Sequence, residues 1–203
     1  MIINHDPEFV ITLQRVIEFI GTFAFALSGI RLAASKHYDW LGGFVCGIAV
    51  AIGGGTIRDV MLGVRPFWML SPIYMICTLF AQCVVIVCHH YLRRLDATWF
   101  LFDTLGLALF NIAGIQKTLE CGFPFWVAII MGCITGAAGG VIRDVLLNEE
   151  PVIFRKEIYA MACVVGGLTY WLLSWLQVSL YITVIATFAI VCAIRFLAVR
   201  YHI

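Results

Sequence analysis

The sequence predicts an all-α integral membrane protein: seven transmembrane helices, arranged as two inverted three-helix repeats followed by a seventh helix. Composition is the first observation behind this. Of 203 residues, 63% are hydrophobic and 12% are charged, against roughly 45–50% and about 25% in soluble domains. The second is an internal repeat. IGGGTIRDVML (52–62) and AAGGVIRDVLL (137–147) lie 85 residues apart, and the register holds without a gap beyond them. Gly21, Phe25, Gly29 and Ile30 match Gly106, Phe110, Gly114 and Ile115, while Gly47, Pro66 and Tyr74 match Gly132, Pro151 and Tyr159. Glu18 falls opposite Asp103. A repeat of this size in membrane-spanning sequence points to a pathway across a bilayer.

Seven apolar stretches reach the roughly 20 residues a helix needs to cross hydrocarbon. They run over 12–34, 41–62, 68–92, 98–118, 124–147, 157–175 and 179–200. The single membrane domain 1–203 thus divides into a first repeat (12–92), a second repeat (98–175) and a seventh helix (179–200). Turn-forming or charged residues fill the short loops: KHYD, GVRP, RRLD, LECGFP and NEEP. Trp40, Trp68, Trp99 and Trp126 lie near helix starts, and Trp171 and Trp175 near a helix end, as suits an amphipathic ring at the membrane–water interface. The first apolar stretch contains an A-x-A-like tripeptide within FAFALSG. It is nonetheless expected to belong to the fold, because its leader is not basic and it forms half of the repeat.

Charge asymmetry sets orientation. Arg31, Lys36, Arg93, Arg94, Arg143, Arg155, Lys156, Arg195 and Arg200 fall on one side, and Arg15, Arg58, Arg65 and Lys117 on the other. Nine against four predicts an outside N-terminus and a cytoplasmic C-terminus in a multi-pass protein of the inner (plasma) membrane. Each repeat holds an odd number of helices, so the second enters the membrane from the opposite face.

Gly53, Gly54 and Gly55 lie mid-helix in the second span, and Gly139 and Gly140 in the fifth. Each interior glycine weakens a helix by about 1 kcal/mol relative to alanine. The clusters therefore predict kinks or breaks, with backbone carbonyls available to replace water around a cation. Close helix packing through small residues is the other use of such clusters. Arg58 and Arg143 follow three or four residues later and, at this depth, call for a partner or water. Depth arithmetic pairs them with the intramembrane acids Glu18 and Asp103. Asp59 and Asp144 are expected to serve other partners or a helix end near water, because adjacent residues diverge on a helix. Thr56, Thr104, Asn111 and Thr135 are polar pore candidates, or residues that simply bond neighbouring backbone. The eight cysteines form no C-x-x-C pair and read as buried thiols. No H-E-x-x-H, G-x-S-x-G or P-loop motif appears, so no enzyme, metal site or cofactor is expected. The net charge of +1 gives no reason to invoke nucleic acid.

EFIGTFAFALSG (18–29) and DTLGLALFNIAG (103–114), each followed by GG-x-(I)-RD and a proline, resemble the prokaryotic TRIC (trimeric intracellular cation) channel family, which overlaps a bacterial membrane domain family labelled glycine transporter. The resemblance covers about residues 12–200. It implies a homotrimer in membrane lipid, with a pore in each protomer and helices 2 and 5 kinked at the glycines. It also implies conduction of monovalent cations, chiefly potassium, with potassium or sodium as permeant ion rather than cofactor. One departure is Ala138, where the first copy has Gly53. Paired arginine and carboxylate groups suit a transporter of a small zwitterion such as glycine equally well, and that alternative stays open.

Overall fold

The computed structural model describes residues 7–88, 98–154 and 158–201, with side chains from residue 11 onward. The RRLD loop, Arg155 and Lys156 lie outside the described residues. Among those described, the chain forms seven α-helices: α1 (Pro7–Ser35), α2 (Trp40–Met61), α3 (Ile73–Val87), α4 (Thr98–Glu120), α5 (Phe125–Leu146), α6 (Ala160–Trp175) and α7 (Leu180–Tyr201). Five of them carry spans long and apolar enough to cross a membrane, namely α2, α4, α5, α7 and Ile11–Ser35 of α1.

The third and sixth helices start later than the sequence predicts. A short 3-10 turn, Phe67–Leu70, takes up the first residues of the expected third span, and a second, Val152–Phe154, lies ahead of the expected sixth. Pro66 and Pro72 flank the first turn, and each lacks a backbone N–H. In both copies an aspartate from the preceding helix captures the turn's first N–H. Asp59 Oδ2 accepts from Phe67 N (2.8 Å), and Asp144 Oδ2 accepts from Val152 N (3.0 Å).

Helix ends repeat as well. After α1, α2, α4, α5 and α6 the chain enters the left-handed region, at His37, Gly63, Gly122, Asn148 and Gln177. A backbone bond then spans five residues back, for example Val64 N to Asp59 O (2.9 Å) and Glu149 N to Asp144 O (2.8 Å). This closure satisfies carbonyls left over at a helix end. Gly63 stands 85 residues before Asn148, and His37 the same distance before Gly122. Glycine adopts this conformation freely, and asparagine tolerates it.

The two repeats pack alike. Helix α1 contacts α2 and α3, which also touch; α4 contacts α5 and α6, which also touch. The halves join through α1 against α4 and α2 against α5, and α7 covers α4 and α6. Helices α1 and α4 run antiparallel. Gln14 meets Glu120, Gly21 lies against Phe110, and Ser28 Oγ donates to Trp99 O (3.2 Å).

The helical assignment of α2 and α5 runs uninterrupted through Gly53–Gly55 and Gly139–Gly140. The break with freed carbonyls, one of the two expectations for these clusters, is therefore not formed. Close packing, the other use of such clusters, is formed. A Cβ on Gly54 would strike the backbone carbonyl of Thr135, and one on Gly139 would come within 2.7 Å of the carbonyl of Val50. Since Thr135 is the repeat partner of Val50, the helices cross at two equivalent points where backbone touches backbone. Small residues permit this approach.

Candidate functional site

Two clusters of buried charge lie at opposite ends of the α1–α4 pair. In the first, Arg58 Nη2 donates to Glu18 Oε1 (3.0 Å) and Arg58 Nε to Asp59 Oδ1 (2.8 Å). Tyr74 Oη donates to Glu18 Oε2 (3.3 Å). In the second, Arg143 Nη1 donates to Asp103 Oδ1, Arg143 Nε to Asp144 Oδ1 (2.8 Å), and Tyr159 Oη to Asp103 Oδ1 (3.4 Å). Every one of these contacts recurs 85 residues on. The pairings Glu18–Arg58 and Asp103–Arg143 are those the depth argument predicts.

The same geometry corrects one expectation. Asp59 and Asp144 do bind their neighbouring arginines. Adjacent Cβ atoms diverge, but the arginine stem is long enough to fold Nε back across the last helical turn. There the aspartate is already fixed, because its second oxygen holds the 3-10 turn. Nor do these carboxylates reach bulk water: Asp59 is 1% exposed and Asp144 2%. We expect Asp59→Ala to lower the thermal unfolding midpoint in detergent. It strands the Phe67 N–H, a loss of about 1–3 kcal/mol, besides removing a counter-charge. An unchanged midpoint would mean that the turn is held by something else.

Of the polar pore candidates, Thr56 donates to Ile52 O (2.7 Å) and Thr135 to Met131 O (2.5 Å), each bonding its own preceding turn. Thr56 also accepts from Trp68 Nε1 (3.0 Å). Asn111 Nδ2 donates to Cys163 O (3.3 Å) across to α6, while its Oδ1 has no partner among the described residues. The buried Thr104 hydroxyl likewise has none.

The ends of the repeats have diverged. A cavity of about 900 Å³ reaches Glu18, Asp59 and Tyr74 of the first cluster, and Arg15 and Lys117 share its wall. At the second cluster, the positions equivalent to Gln14 and Arg15 are Trp99 and Phe100. Arg143 lies 5.2 Å from the centroid of the Trp99 ring and also donates to Ser28 Oγ (2.9 Å). The repeat partner of Ser28 is Ala113, whose side chain offers no acceptor, and Arg58 Nη1 has no partner among the described residues.

Sequence reasoning missed Arg195. It was counted among the charges of the cytoplasmic side, yet it is fully buried beside Asp103, with Nη2 at 3.9 Å from Oδ2. Its signal was its place: five residues inside Arg200, with the apolar FLAV between. The tyrosines of both clusters were visible only as matched positions.

Apolar helices of spanning length, enclosing two repeated charge clusters, define a polytopic membrane protein. The chain belongs to the family described as Glycine transporter, which matches it twice, over residues 15–90 and 100–175. It is 37% identical to the UPF0126 inner membrane protein YadS of Escherichia coli (strain K12), over 92% of each chain. It is 34% identical to the UPF0126 membrane protein YvgT of Bacillus subtilis (strain 168), over 88% of this chain and 89% of that one. Its fold is similar to the TRIC trimeric intracellular cation channel orthologue from Rhodobacter sphaeroides (TM-score 0.87, 29% identity, 95% of this chain and 100% of that one). A structure describing the basis for conductance through TRIC cation channels also matches (TM-score 0.81, 32% identity, 93% and 94% covered).

Proposed function

We propose that the protein is a channel for monovalent cations, permeable to potassium, and that it works as a homotrimer with a pathway inside each protomer. The observation that carries this reading is the whole-chain similarity to TRIC cation channels. The first charge cluster supports it: two carboxylates, Glu18 and Asp59, surround one guanidinium beside a cavity. Glu18, Asp59 and Glu120 give a cation acidic groups to approach there, among the basic Arg15, Arg65 and Lys117 of the same wall. Separate pathways follow from each chain holding both halves of an antiparallel pair of repeats, which we read as inverted about an axis in the membrane plane. The α2–α5 crossing at Gly54 and Gly139 is then the point where both helices bend to narrow or widen the path. The N-terminus lies outside and the C-terminus in the cytoplasm.

The test is reconstitution into planar bilayers under opposed potassium and sodium gradients. Discrete current steps that reverse near the potassium equilibrium potential are expected. The second reading, transport of a small zwitterion such as glycine, is favoured by the mixed charge of the first cavity. Saturable, gradient-coupled glycine flux without steps would replace the channel reading with that one.

A further inference from the structure

Asp103 meets two arginines where Glu18 meets one. The second, Arg195, comes from α7, which lies outside the repeat, so the first cluster has no counterpart by construction. Its guanidinium carbon lies 4.8 Å from the ring centroid of Phe100 and 4.7 Å from that of Tyr159. Nη1 donates to Ile158 O (3.3 Å), and Nη2 stands 3.9 Å from Asp103 Oδ2. That last separation is longer than a charge-assisted hydrogen bond. The two rings therefore flank a guanidinium that the carboxylate does not hold by a direct hydrogen bond from Nη2. Two aromatic faces and one carboxylate around a weakly hydrated cation make a cation cage. The cage is particular to this half: the repeat partner of Phe100 is Arg15, which would repel a cation.

We propose that Asp103, Phe100 and Tyr159 form a binding site for a small, weakly hydrated monovalent cation, and that the protein fills this site with its own Arg195. Helix α7 then acts as a tethered plug on the second cluster, and a cation passing that end displaces the guanidinium or waits for α7 to withdraw it. This names the closed end of the pathway proposed above and rests on that reading only for flux.

Arg195→Ala empties the site, and free guanidinium is the probe. Purified variant and wild type are melted in detergent with low-millimolar guanidinium chloride, or with sodium chloride or urea at equal concentration. Guanidinium, and not the controls, is expected to raise the midpoint of Arg195→Ala while leaving wild type unmoved. In proteoliposomes the variant's potassium flux is expected to exceed wild type by roughly tenfold, equivalent to about 1.4 kcal/mol of lost closure, and guanidinium should return it toward wild type. Adding Phe100→Ala should abolish both responses. A variant that folds only with guanidinium present supports the site. Indifference to guanidinium, in folded or unfolded material, overturns it, as does a response that survives loss of the Phe100 ring. Stabilisation by guanidinium with no flux from either protein would keep the site and sink the channel. Flux without any guanidinium response would do the reverse.

Discussion

Asp103→Asn is expected to be the most destabilising single change of charge in the chain. The carboxylate is fully buried and is shared by Arg143 and Arg195. Asparagine fills the same space but removes the charge, so that Arg143 and Arg195 face a neutral amide in an apolar bundle, with Asp144 still on Arg143. Stripping one partner from a buried pair costs about 3–5 kcal/mol, because the remaining charge cannot be solvated. Glu18→Gln should cost less. Both arginines keep a neighbouring aspartate, Arg58 with Asp59 and Arg143 with Asp144. But Glu18 meets one arginine where Asp103 meets two, and the Glu18 cluster borders a cavity where water can help. The coupling is tested by the double change Asp103→Asn with Arg143→Gln, which should be milder than Asp103→Asn alone. Thermal midpoints in detergent decide this. Singles that add within a few tenths of a kcal/mol would mean the ion pair carries no coupling.

What could be read from the sequence followed from the repeat. A residue type recurring at a fixed distance inside apolar sequence constrains both copies at once, and a helix's rise fixes depth. Glu18, Arg58, Asp103 and Arg143 were therefore paired correctly with no knowledge of helix rotation. What failed lay off that symmetry. Arg195 belongs to the one helix without a copy, so its burial had no second instance to betray it, and its charge was assigned to the rim. Asp59 and Asp144 do serve other partners, the Phe67 and Val152 N–H groups. But they also bind the adjacent arginines, because the i,i+1 rule describes Cβ directions, whereas a long side chain turns back on its own helix. The 3-10 turns before α3 and α6 depended on which loop N–H each aspartate captured. That is a contact between chain segments eight residues apart, which hydropathy does not record.

The divergence of the two ends has a physical consequence beyond either cluster. Gln14 and Arg15 leave Glu18 beside a cavity, while Trp99 and Phe100 cover Asp103. Coulomb attraction between unit charges is several-fold stronger at the low effective dielectric of a dry site than at a wet one. The same acid–arginine pair thus borders a cavity at one end and lies against aromatic rings at the other. In the proposed channel, the second end is where opening meets the larger barrier.

The glycine crossing supplies the other large effect. Gly54→Ala and Gly139→Ala are expected to lower stability sharply, whereas Gly53→Ala should be nearly neutral. A Cβ at Gly54 collides with the Thr135 carbonyl, and one at Gly139 crowds the Val50 carbonyl. Backbone cannot rotate aside as a side chain can, so α2 and α5 must separate, at a cost of about 1–3 kcal/mol or more. At Gly53 the new atom meets only the tip of Ile142, a flexible side chain, and the second repeat already carries alanine there, Ala138. If the glycines served only as points of helix weakness, all of these alanines would instead strengthen the helix, by about 1 kcal/mol each. The two accounts therefore predict opposite signs at Gly54 and Gly139. Leucine at Gly54 is expected to disrupt packing of the two halves as well as abolish flux, so a sedimentation profile matching wild type together with lost current would favour flexibility over contact. Equal melting midpoints for Gly53→Ala and Gly54→Ala would refute the packing account outright.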